Sequence, residues 1–245
     1  MKSILYDIRR ALAGRWFLAS AVVSVIALYM SIGQESYHLM NELRNLNSGN
    51  PFCFELANLL YRSMQGDFGI MTLPALAALP FAAQPLQEIK SGAIRPAVFR
   101  TGRRAWLIGK GIACFLGGML LPLISLVILA LIFHLVMLIC SGMLFPTGDI
   151  SVIYLPMLSR MICGGIWACI GCMIALLTET AAAAYLAPLC LCYALTMIGT
   201  RFFPQIPMLN PSNWMTGSPY PLLFILIPMI LLMALTLRRE VYRHA

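Results

Sequence analysis

Charge is what this chain of 245 residues has least of. Asp and Glu together number 9, and charged residues make up only 11%, against about 25% in soluble chains. That shortage excludes a water-soluble globule, which needs polar surface to coat it. Histidine is scarce as well, at 3. His134 has no Asp or Glu at helical spacing, so neither a zinc site nor a proton relay can be built around it. A phosphate-cradling glycine loop is also missing. Gly109-Lys110 lacks both the upstream glycine spacing and the following Ser or Thr. The expectation is no catalytic residue, no metal site and no cofactor in this chain.

Disulfide chemistry is not implied by the 8 cysteines. Cys114, Cys163, Cys169, Cys172, Cys190 and Cys192 fall inside apolar tracts, where free Cys behaves as a small hydrophobe. No polar second cluster turns the Cys163/Cys169/Cys172 spacing into a zinc pattern. Cys53 and Cys140 are the pair that could lie outside and join.

What is present is apolar sequence. Hydrophobic residues make up 60% and mean hydropathy is +0.84, which defines an all-α polytopic membrane protein with a single transmembrane domain over 1–245. Residues 1–15 set Ile4, Ile8 and Leu12 on one helical stripe, with Lys2, Arg9 and Arg10 elsewhere. This predicts a helix lying in the membrane interface. No small-residue cleavage site follows a short apolar core, so the next tract reads as a span rather than a cleavable signal.

Six spans are predicted, at about 16–33, 68–86, 106–139, 152–177, 181–198 and 219–237. The segment 34–67 is polar, with a turn at Gly49-Asn50-Pro51. It holds a short amphipathic helix on the outer surface, where Leu56, Leu59, Leu60 and Met64 form the apolar stripe. Pro74, Pro80 and Pro85 bend the second span. The third tract runs for 34 residues, about 50 Å of helix against a hydrocarbon core of about 30 Å. It predicts one long helix that begins near Trp106 and breaks around Gly117-Gly118 and Pro122, with Lys110 snorkelling to the interface. On the fourth span Gly164, Ala168, Cys172 and Ala175 form a small-residue ridge for close helix packing. Arg160 is expected to snorkel outward toward Asp149. Thr178-Glu179-Thr180 is a tight reversal, with Thr178 as helix cap.

The basic residues sort by side. With the N-terminus inside, thirteen Lys and Arg are cytoplasmic, among them Arg9, Arg10, Arg15, Arg238, Arg239 and Arg243, and four (Arg44, Arg62, Arg160, Arg201) lie outward. That satisfies the positive-inside rule and places both termini in the cytoplasm of a plasma-membrane protein. The net charge of +8 is therefore a topology signal, and no nucleic-acid partner is implied.

The stretch 87–110 holds six of the 17 Lys and Arg residues between two spans. Its Glu88-Ile89-Lys90-Ser91-Gly92 segment continues through Arg95 and Arg100-Thr101-Gly102-Arg103-Arg104 to Lys110. Together with the Leu209-Asn210-Pro211 turn and Trp214, this layout resembles the permease subunit of ABC type-2 exporters over nearly the whole chain. The resemblance implies a cytoplasmic coupling stretch at 87–105 that docks on a separate ABC ATPase subunit, where ATP and Mg would bind. It also implies a second permease chain, as homodimer or heterodimer, and outward transport of a peptide, antibiotic or other amphipathic compound. Glu88, Lys90, Gly92 and Arg95, with Glu179 as a minor contact, are the expected motor contacts. Arg100, Arg103, Arg104, Trp106 and Lys110, with Arg9, Arg10 and Arg15, are the expected anchors at the lipid bilayer. Pro96 departs from the family pattern and predicts a helix break near Arg95.

Two other classes are weighed against this one. An ion-coupled transporter or channel needs intramembrane acids or inverted repeats. An integral membrane enzyme needs paired catalytic residues at depth, and His134 stands by itself.

Overall fold

A computed structural model describes residues 2–33, 37, 55–141, 146–216 and 219–244, and no strand occurs among them. The helices are α1 (Lys2–Leu12), α2 (Arg15–Ile32), α3 (Leu56–Gln65), α4 (Asp67–Ala78), α5 (Gln84–Lys90), α6 (Ile94–Thr101), α7 (Arg103–Ser141), α8 (Ser151–Thr178), α9 (Ala183–Arg201), α10 (Pro211–Thr216) and α11 (Tyr220–His244). Five of these, α2, α7, α8, α9 and α11, are long and apolar enough to cross a membrane. The chain is a multi-pass helical membrane protein.

The second predicted span takes a different form. Helix α4 has 12 residues, about 18 Å, which falls short of a bilayer core of about 30 Å. The chain then runs through turns at 79–83 into α5. Prolines cause this: Pro80 sits in the turn and Pro85 opens α5, and neither can donate the backbone bond that a continuous helix needs. Phe81, Ala82, Ala83 and Leu86 stay buried all the same.

Helix α7 is unbroken over its 39 residues, about 58 Å. Of the two glycines expected to break it, Gly118 instead brings it against α8, and Gly117 faces Ala11, Pro80 and Phe81. A Cβ on Gly118 would stand 2.5 Å from the Gly164 carbonyl oxygen, and one on Gly164 would stand 2.4 Å from that of Gly118. Two backbones touch there, which only hydrogen side chains allow. Ala168 and Cys172 continue the buried contact, and the Cys114 thiol donates to the Ala168 carbonyl at 3.3 Å.

Helix α3 forms where the amphipathic pattern places it, with Asn58 and Arg62 exposed and the opposite stripe packed down. Leu56, Leu59, Leu60 and Met64 are all buried against Val25, Leu28, Leu129, Phe133 and Met157. Its first two amides donate to the Pro146 and Thr147 carbonyls at 2.8 and 3.1 Å. The helix is thus tied down by the connection that precedes α8. The Gly49-Asn50-Pro51 turn and Cys53 lie outside the described residues. Cys140 is exposed at the far end of α7.

Candidate functional site

Three helices, α1, α5 and α7, meet at one end of the bundle. Lys110 on α7 is 2% exposed, and its ammonium donates to Asp7 Oδ1 at 2.7 Å and to Glu88 Oε1 at 2.6 Å. Arg10 Nη1 reaches the same Glu88 oxygen at 3.3 Å, and the Trp106 indole donates to Glu88 Oε2 at 3.3 Å. Lys110 also faces the Phe81 and Trp106 rings, at 5.4 and 5.9 Å. Helices α1, α5 and α7 are therefore joined by one ammonium between two carboxylates. Removing the lysine would take the shared cation from Asp7 and leave Glu88 with Arg10, the more exposed of its two cations.

Beside this cluster opens a cavity of about 470 Å³. Tyr6, Gln84, Ser91 and Thr101 line it along with the charged groups.

Three other basic residues, Arg103, Arg238 and Arg243, pair nearby. Arg103 and Arg238 both face the Tyr242 ring, at 5.0 and 5.7 Å, and Arg243 reaches Glu179 at 3.5 Å between two exposed side chains. Glu179 ends α8 in the left-handed conformation, φ 55°. Thr178 turns its hydroxyl back to the Ile174 carbonyl at 2.8 Å, so it does not cap the helix that follows.

Local backbone explains how α6 is set off from its neighbours. Gly92 at φ +74° and Gly102 at φ +81° bracket α6, a conformation in which a Cβ is strained. Pro96 lies in the first turn of α6, where its missing N–H removes no helical bond. The break comes at Gly92, three residues before the expected point. Ile94 turns inward while Lys90, Arg95 and Arg100 are exposed, and Phe99 is 93% exposed.

Several expected roles change on this geometry. Glu88 is turned inward and clamped, whereas Lys90, Gly92 and Arg95 are exposed. Lys110 and Trp106 are buried inside the bundle and do not reach the interface as anchors. The cause is Asp7, the single acid in the basic first helix, which supplies the counter-charge that keeps Lys110 in. Arg9, Arg10, Arg15, Arg100, Arg103 and Arg104 are exposed.

Arg160 is also redirected. It is 2% exposed, and its guanidinium donates to the Met64 carbonyl in the last turn of α3. Asp149 instead accepts the Ser151 amide at 3.0 Å, and its hydrogen bonds to Ser151 hold its carboxyl below the usual range. Arg160 stands nine residues past the start of α8, about 13 Å along the helix, too deep to meet Asp149. Met64 is nearer, and a helix C-terminus attracts a cation.

Sequence reading missed Asp7 and Phe99. Each had a signal: a lone acid among basic residues, and a lone aromatic on a charged helix face. Among the described residues no group of three or more His, Cys, Asp or Glu is placed to hold a metal ion. Compared with known family models, curated proteins and solved structures, the chain has no match. Fold and site thus define a class, a multi-pass helical membrane protein with a charged junction at one end.

Proposed function

We propose that this chain is the transmembrane subunit of an ATP-driven exporter of the ABC type-2 kind, coupled to a separate ATPase at the end that carries α1, α5 and α6. The observation that carries the reading is Phe99, almost fully exposed between Arg95 and Arg100 on a helix set off by two positive-φ glycines. An exposed aromatic flanked by arginines is the composition of a binding hot spot. Behind it, Glu88 ties the preceding helix to α1 and α7 through Lys110, so a push on α5 and α6 reaches the spans.

In this reading the basic end is cytoplasmic, as thirteen of the 17 Lys and Arg residues would favour, and the membrane is the plasma membrane. Helix α4 with the buried turns and α5 makes a sixth crossing. Two copies, or this chain and a sister, pair around the path for an amphipathic cargo. Lys90, Gly92, Arg95 and Phe99 contact the ATPase, and Glu179 with Arg243 lies beside it.

The test is co-purification from native membranes. The tagged chain should bring down a P-loop ATPase in near-stoichiometric amount, and Phe99→Ala should lose it while thermal stability stays unchanged. Retention of the ATPase by the variant, or purification of the chain without one, would reject the reading.

A further inference from the structure

Between α7, α8 and α11 lies an elongated slot of about 500 Å³, within the volume range of ligand sites. Its walls are apolar along most of their length, with Phe115 and Leu116 on one side and Ala234 on the other. Gly111 opens it, because a Cβ there would meet nothing within 4 Å. Arg104 and Arg238 are the charged side chains lining it. Arg238 shares the Tyr242 ring with Arg103. Among the described residues neither Arg104 nor Arg238 forms an ion pair.

Twelve residues of α7 separate Arg104 from Leu116, about 18 Å. That is a little over half of a hydrocarbon core of about 30 Å. With its cationic rim set at the headgroup level, the slot would reach near mid-bilayer, the depth of one leaflet. We propose that it binds one anionic phospholipid, with an acyl chain along Gly111 and Phe115 and the phosphate between Arg104 and Arg238. Guanidinium groups suit phosphate oxygens through paired, charge-assisted hydrogen bonds. A second copy of the chain across a two-fold axis fits this face poorly, since it would set Arg104 and Arg238 against their own images. The inference needs only the membrane setting and stands apart from the exporter reading.

Diffuse attraction of basic residues to anionic lipid acts without regard to shape, and the slot does not. The full chain, purified in mild detergent and delipidated, is titrated with phosphatidylglycerol or phosphatidylcholine of the same acyl chains and read by native mass spectrometry. One phosphatidylglycerol should be retained about tenfold better than phosphatidylcholine. The double variant R104Q/R238Q should erase that preference. Gly111→Trp should lose retention of both lipids with an unchanged thermal midpoint, and Ala234→Trp fills the slot from the opposite wall should the first variant fold poorly. Equal retention of the two lipids overturns the site. So does undiminished retention in both tryptophan variants, or dimerisation that those variants abolish.

Discussion

Lys110 Nζ lies 2.6 Å from Glu88 Oε1 in a largely buried contact. A lysine close to an apolar tract would ordinarily extend its stem to reach water. Here Asp7 at 2.7 Å completes its coordination, and three helices become one mechanical unit. Charge that would set topology on the surface is spent on fixing α1 and α5 to α7.

Replacing Lys110 with Ala takes the buried cation from Asp7 and leaves Glu88 with the exposed Arg10. Loss of one partner from a buried pair costs about 3 kcal/mol, so the midpoint of denaturant unfolding should fall clearly. The triple change D7N/E88Q/K110M removes all three charges and should recover most of the loss. A single variant as stable as the native chain would show that the cluster is solvated and weak.

The crossing of α7 and α8 sets a second expectation. Gly118→Ala forces a methyl into the Gly164 backbone and should destabilise by about 2 kcal/mol. Gly111→Ala, on the same helix but facing open space, should change stability by less than about 0.5 kcal/mol. Equal effects at the two positions would remove the close approach as a feature of the fold.

Arg160 fastens α3 from below. Arg160→Ala leaves the Met64 carbonyl without its donor, at a cost of about 1–3 kcal/mol. Amide hydrogen exchange over Leu56–Gln65 should then speed up by about tenfold or more. Exchange that rises equally across α8 would point to global loosening rather than release of α3.

How much of this was legible in the sequence follows from the range of each interaction. The long α7 and α8, the Gly164/Ala168/Cys172 ridge and the amphipathic α3 rest on local periodicity, which can be read along the chain. The pairing of Lys110 with Asp7 joins residues 103 positions apart, and no local pattern carries it. Pro80 and Pro85 were visible, but whether they bend a span or end it depends on what replaces the lost backbone bonds. Gly117-Gly118 looked like a break because a glycine pair weakens a helix. Contact with Gly164, 46 positions on, decided otherwise.

Orientation has a direct check. With the basic end in the cytoplasm, Cys140 at the other end of α7 should react with a membrane-impermeant maleimide in intact cells. A cysteine placed at Arg100, in a chain lacking the native thiols, should react only in inverted vesicles. The reversed pattern would invert the topology.

The central claim is that Phe99 meets a motor, and site-specific photo-crosslinking tests it most directly. A photoreactive amino acid at position 99 is activated in native membranes and the adduct is identified by mass spectrometry. The account predicts a crosslink to a protein with an ATP-binding glycine loop, absent when the reactive group stands at inward-facing position 94. Crosslinks at position 99 to lipid alone, or to another copy of this chain, would contradict it.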